Sequence, residues 1–338
     1  MPAAPPLREQ ALVFREFATL IGAGISLLQA LDQIQQRPLS QPFRMFLRNA
    51  QSSVSKGQRL SVVMRSQPGM FSELSLALIE AGEEGGRLEE MLKDVATYLE
   101  QELELRRLIA RETFYPKILL LACLFIPLGA NCVIAAVKDS PAGAFVMLAK
   151  GLVLYAIFGG LPVLAVYVVY RQFTASETGK KSIDAMKLRI PLVGGIVERL
   201  ALLKFARALS ALYGAGVHYP KAIGLSGDAC GNRHIAEIIR TAVPHVEKGS
   251  ILSEALLQTR LGRSLLLRLL QTGEQTGNID TMMDKAAQHY ADESETQIRR
   301  LTVAIVPVAV VIAGGVVCVM LARMYMGYFT DLLDAGGK

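Results

Sequence analysis

The chain has 338 residues, of which 51% are hydrophobic and 20% charged, with a formal net charge of +6 and a mean hydropathy of +0.34. So many charges exclude a chain embedded in lipid throughout, and three long apolar windows exclude one that is soluble throughout. The mixture points to soluble domains joined to membrane spans.

In chain order, the periodic apolar stretches read as helices. Residues 11–20 form the first, which Gly22-Ala23-Gly24 ends, and Ser26 caps a second that reaches about Gln36. Pro38 and Pro42 mark a loop before a helix over 43–55, and Ser61 opens a short helix that Pro68-Gly69 breaks. Ser72 caps a helix over 73–81, and the helix after Gly86 runs past Glu104. No alternating strand pattern is found. The first domain, 7–112, is therefore expected to be a compact antiparallel bundle of about six helices.

The windows 118–137, 151–170 and 301–322 contain no acidic or basic side chain, and each is close to the ~20 residues that cross a bilayer. All carry proline or glycine, which spanning helices tolerate where neighbours cover the freed backbone. The expected order is a span over 113–137, a periplasmic loop over 138–150, a second span over 151–170 and a cytoplasmic linker over 171–197. A second helical domain over 198–300, a third span over 301–328 and a periplasmic tail over 329–338 follow. Arg106, Arg107, Arg111 and Lys117 precede the first window, Arg171, Lys180, Lys181, Lys187 and Arg189 follow the second, and Arg299 and Arg300 precede the third. The positive-inside rule then places the N-terminus and both helical domains in the cytoplasm and the C-terminus outside. Met1 to Pro6 lacks the apolar core of a signal peptide.

The two helical domains are copies. Gly82-Glu83-Glu84-Gly85-Gly86-Arg87-Leu88 matches Gly273-Glu274-Gln275-Thr276-Gly277-Asn278-Ile279 at an offset of 191 residues. Phe17 to Ile25 matches Leu209 to Val217, Lys56-Gly57-Gln58-Arg59-Leu60-Ser61 matches Lys248-Gly249-Ser250-Ile251-Leu252-Ser253, and Pro116 falls opposite Pro307. Such agreement in one order identifies an internal duplication. Because glycine is costly inside a helix, Gly82 with Gly86 and Gly273 with Gly277 read as breaks between helices. Glu83 and Glu274 are then expected at bundle ends, where each is either a docking acid or a cap on exposed helix N–H groups.

Charge repeats as well. Residues 1–70 hold eight Lys/Arg and three Asp/Glu, whereas 71–104 hold two and ten; 199–270 hold ten and four, and 271–297 one and six. Basic and acidic helices packed side by side explain this, as do docking faces for charged partners.

Catalytic motifs are missing: there is no Gly-x-x-x-x-Gly-Lys-(Ser/Thr) phosphate loop, and His218, His234, His245 and His289 lack metal-ligand spacing. No enzyme activity, cofactor, metal or nucleic-acid binding is expected. Glu80, Glu83 and Glu84 are close enough in sequence to attract a cation, but a solvated helix end is the commoner outcome. Cys123, Cys132 and Cys318 lie in the apolar windows, where Asn131 is the main polar side chain, and Cys230 lies outside them.

Two helical domains that each bear Gly-Glu-x-x-Gly-x-(Leu/Ile), with three spans in this order, resemble the type II secretion F protein family from about Leu7 to Phe329. These are inner-membrane platform proteins of type IV pilus and type II secretion machines. The resemblance carries onto Gly82, Glu83, Gly86, Leu88, Gly273, Glu274, Gly277 and Ile279. It implies a protein that couples a cytoplasmic hexameric ATPase to extraction of pilin or pseudopilin subunits from the membrane. It also implies other inner-membrane assembly proteins, membrane lipid and further copies of itself as partners. On the reading of the acidic halves as docking faces, Glu83, Glu84 and Glu274 are the partner-binding acids. The alternative is a small transporter or channel, which would need intramembrane acids or broken charged helices.

Overall fold

The computed structural model describes residues 5–138, 149, 153, 164, 167, 168, 171, 177–191 and 193–336, and among them there is no strand. The first repeat comprises α1 (Leu7–Gly22), α2 (Leu27–Gln35), α3 (Gln41–Val54), α4 (Leu60–Arg65), α5 (Glu73–Gly85) and α6 (Leu88–Lys138). After α7 (Glu177–Arg189), the second comprises α8 (Gly194–Gly214), α9 (Tyr219–Ala229), α10 (Arg233–Glu247), α11 (Leu252–Leu257), α12 (Leu265–Thr276) and α13 (Ile279–Gly336), with a 3-10 turn at Arg260–Arg263. The six helices of each copy correspond one to one.

Local chemistry sets these boundaries. Ser26 accepts from the Gln29 amide while the Gln29 side chain answers to the Ser26 amide, a closed capping box. Pro42 sits in the first turn of α3, where its missing N–H costs nothing. Ser72 and Ser264 cap α5 and α12. In four places the helices outrun the sequence expectation: α1 spans Leu7–Gly22 rather than 11–20, and α3 begins at Gln41, so that Pro42 lies in the helix and not in the loop before it. The α5 helix continues to Gly85 rather than ending near 81, and α8 begins at Gly194, inside the expected linker. Gly194 permits that start, since a Cβ there would lie 2.3 Å from the Leu188 carbonyl oxygen.

By contact the chain divides into two compact units, Met1–Arg107 with Asp184–Glu295, and Leu108–Ile183 with Thr296–Lys338. Both helix bundles belong to the first unit. The core of the first repeat is aromatic: Phe71 meets Phe14, Phe43 and Phe46 edge-on, with ring centres 5.9, 6.3 and 4.8 Å away. The second core is aliphatic, built on Leu203, Leu209, Ile223, Ile239, Leu256 and Leu270 around one fully buried ring, Phe205.

In the second unit, α6 and α13 meet where the Thr302 hydroxyl donates to the Glu112 carbonyl at 3.1 Å. Among the described residues, no helix is long and apolar enough to cross a membrane. Most of the 151–170 window, most of the 138–150 loop and the side chains of Pro116, Cys123, Asn131 and Cys132 lie outside the described residues. Pro307 lies inside α13.

Candidate functional site

The repeated motif does not break the chain at its first glycine. Gly82 and Gly273 are buried inside α5 and α12, and only the second glycine of each pair ends its helix. Gly86 has φ +66° and Gly277 φ +74°, the left-handed region in which glycine alone is unstrained. In the first copy the Arg87 amide then closes onto the Gly82 carbonyl at 2.9 Å. The buried glycines serve close packing instead. A Cβ on Gly82 would lie 2.8 Å from Met91 Cβ, and one on Gly273 3.0 Å from Ile279 Cα. Each motif thus folds the last helix of its repeat back against the preceding one, with Ile279 buried and Leu88 partly buried.

Neither glutamate serves the helix that follows. Glu83 accepts the Leu60 amide at 2.5 Å and the Ser61 amide at 3.1 Å, and the Ser61 hydroxyl also donates to it. Glu274 accepts the Leu252 amide at 2.7 Å and the Ser253 amide at 3.1 Å. These are the first two N–H groups of α4 and α11, whose own N-cap residues, Arg59 and Ile251, provide no side-chain cap. A carboxylate from the end of one helix therefore caps a short helix about 22 residues earlier, pairing formal charge with orphan donors. The repeated Leu-Ser that follows Lys-Gly is the signal for this cap, since Leu60-Ser61 and Leu252-Ser253 are the capped residues.

The remaining lone pairs are met differently in each copy. In the second, the Tyr219 hydroxyl donates to Glu274 at 2.9 Å. Burial, and then the charge of Glu274, push the Tyr219 pKa up, so the phenol remains a donor. The Ser253 hydroxyl, buried beside it, has no hydrogen-bond partner among the described residues. Glu84 behaves otherwise: its side chain is 60% exposed and faces Arg59 at 3.1 Å, an ion pair in water.

The two repeats share a seam within the first unit, where α5 packs on α8 and α9. Across it the Arg87 guanidinium donates to the Ala215 carbonyl at 3.2 Å, and Lys204 pairs with Glu102 at 2.9 Å. Lys221 lies 3.4 Å from Glu80, which Arg65 also holds at 3.0 Å. Burial opposes ionisation of Glu80, but Lys221 and Arg65 outweigh it and leave its pKa lowered. The basic halves and acidic helices read from sequence thus neutralise one another both within and between repeats.

A cleft of about 460 Å³ follows the seam, lined by Asp94, Tyr98, Arg207, Asp280 and Asp284. Burial and Glu102 push Tyr98 up to about 12, and burial followed by Glu90 raises Asp94. Among the described residues, no three His, Cys, Asp or Glu side chains are grouped to hold a metal ion. Cys230 is buried, and burial pushes its thiol up to about 11, which keeps it protonated and unreactive.

A model of the family "Type II secretion system (T2SS), protein F" matches this chain twice, over residues 13–135 and 205–327. The chain belongs to the type II secretion system protein F family. The two matches sit at equivalent places in the duplication, each running from the first helix of a repeat into its long last helix. Among similar proteins, the type IV pilus assembly protein PilC of Thermus thermophilus is 30% identical over 96% of this chain and 83% of its own length. PilC of Myxococcus xanthus is 28% identical over 94% of this chain and 79% of its own length. The type II secretion system protein F of Xanthomonas campestris pv. campestris is 30% identical over 89% and 78%.

Proposed function

We propose that this protein is the inner-membrane platform of a type IV pilus or type II secretion machine. It couples a cytoplasmic assembly ATPase to the extraction of pilin or pseudopilin subunits from the bilayer. The observation that carries this reading is the doubled family match on a doubled six-helix bundle, joined to relatives named for pilus assembly and type II secretion. In this reading the chain spans the inner membrane over 113–137, 151–170 and 301–328, with both bundles in the cytoplasm, the C-terminus in the periplasm and several copies together. It performs no chemistry itself; the ATPase supplies the energy and the bundles receive the force.

The motif ends are the ATPase-docking surface in this reading. Glu84, exposed and paired with an exposed arginine, is the acid that meets a basic partner. Glu83 and Glu274 act from inside, because their caps fix the short helices on which that surface rests. The test is binding of the full-length protein in detergent to its assembly ATPase, set against solute flux in liposomes. Binding that weakens several-fold in Glu84→Lys, without flux, is the expected result. Ion or solute flux with no ATPase binding would replace the platform by a transporter.

A further inference from the structure

The seam between the repeats is head-to-tail. The first repeat contributes its α5–α6 face, through Glu80, Arg87 and Glu102, whereas the second contributes its α8–α9 face, through Lys204, Ala215 and Lys221. Since the repeats have the same fold, each also carries the face that the other uses here. The α1–α2 face of the first repeat is equivalent to the covered α8–α9 face, yet it stands open. Leu12, at the position of Lys204, is 61% exposed, and Ala23 is exposed where Ala215 is 3% exposed. Leu28 is 38% exposed at the position of the buried Pro220. The α12–α13 face of the second repeat is open in the same way, with Arg268 exposed where Ala77 is buried.

We infer that these two open faces meet between copies of this chain, repeating the internal seam from one molecule to the next. A heterologous contact leaves an unused half at each end, and a second copy supplies both halves. The side chains agree. Where the internal seam pairs Lys221 with Glu80, the open faces carry Gln29 and Gln271, so both charges are replaced together by amides that can bond one another. Where Arg87 donates to the Ala215 carbonyl, the open faces offer the Asn278 amide and the Ala23 carbonyl. Two further seam contacts, the Arg207 bond to a carbonyl and the Lys204–Glu102 ion pair, are not carried over: Arg15, at the position of Arg207, is held by Glu100 at 2.9 Å, and Glu293, at the position of Glu102, is held by Arg199 at 3.0 Å. The contact between copies therefore rests on Leu12, Leu28 and amide pairs, and it is less sensitive to salt than the internal seam.

This inference rests on the reading of the chain as a homo-oligomer, and the experiment separates the two. In a cysteine-free full-length background, Glu80→Cys with Lys221→Cys in one chain should join through a short bismaleimide at monomer mass. Two differently tagged copies, one Gln29→Cys and the other Gln271→Cys, are co-expressed and treated alike in membranes. A mixed dimer carrying both tags, with no dimer of either tag alone, is the expected result. Native mass in mild detergent is measured in parallel. A monomer there overturns the oligomer and this interface with it. An oligomer without the mixed cross-link overturns the head-to-tail contact alone, as does a cross-link between two Gln29→Cys copies, which would mean a symmetric face-to-face contact.

Discussion

The two repeats place the same glutamate on the same two amides and surround it differently. In the first, Glu83 takes a third bond from the Ser61 hydroxyl, one residue into the helix it caps. In the second, the equivalent Ser253 hydroxyl has no partner among the described residues and Tyr219, from α9, bonds Glu274 instead. Leu27 stands at the position of Tyr219 in the first repeat and has no hydroxyl to offer. The backbone amides are thus the invariant part of the device and the hydroxyl is interchangeable. The cores differ in the same spirit, an aromatic cluster around Phe71 serving the bundle that aliphatic side chains fill in the second copy. One architecture holds with different packing as long as caps and close contacts stay in place.

The largest effect that would test this comparison is steric. Gly82→Val puts a branched side chain where even a Cβ would come within 2.8 Å of Met91 Cβ, and is expected to cost about 3 kcal/mol or more from overpacking. Gly273→Val should cost less, because its nearest neighbour is 3.0 Å away. Thermal melts of the purified full chain rank the two, and equal melting points would dissolve the distinction. Next come the caps. Glu83→Ala and Glu274→Ala each leave two N–H groups without their charged acceptor, at about 2–3 kcal/mol.

The hydroxyls sharpen the contrast further. Ser61→Ala removes a bond to a carboxylate and should cost about 1–2 kcal/mol, whereas Ser253→Ala removes a buried hydroxyl that bonds nothing and should be neutral or stabilising. Tyr219→Phe should behave like Ser61→Ala. Urea titration of the four proteins measures this, and a destabilised Ser253→Ala would show that its hydroxyl has a partner. The smallest effect concerns pH. Burial and Glu90 raise the Asp94 pKa above its ordinary 3.8, so the stability linked to its neutral form is complete below that value and is lost as pH rises through the raised folded value. Asp94→Asn should raise the melting point at pH 7 and leave it unchanged at pH 3.

Most helix boundaries were legible because short-range chemistry decides them. Ser26 and Ser72 mark N-caps, and the duplicated motif ends its helix at Gly86 and Gly277. Gly82 and Gly273 misled because glycine's propensity cost argues for a break, whereas tight packing against Met91 and Ile279 makes glycine necessary within the helix. The acceptor role of Glu83 was legible as a cap but not its target, since the capped amides precede it by 22 residues or more and only the tertiary fold joins them. The seam was less accessible still. Arg15 and Arg207 occupy equivalent positions, yet Arg15 pairs with Glu100 of its own repeat, whereas the second repeat has Ala291 in place of Glu100 and Arg207 reaches the Gln101 carbonyl across the seam at 3.5 Å. That choice depends on one side chain in the partner helix.

The claim that the motif glutamate is an internal cap is tested most directly by amide hydrogen exchange on the full-length protein, followed by mass spectrometry of the peptides covering 58–62 and 250–254. In the wild type both peptides should be protected. Glu83→Ala should release the first and leave the second protected, and Glu274→Ala should do the reverse, each by local opening without global unfolding. If either substitution leaves its own peptide as protected as in the wild type, the carboxylate does not hold those amides, and the cap is not what the repeated motif is for.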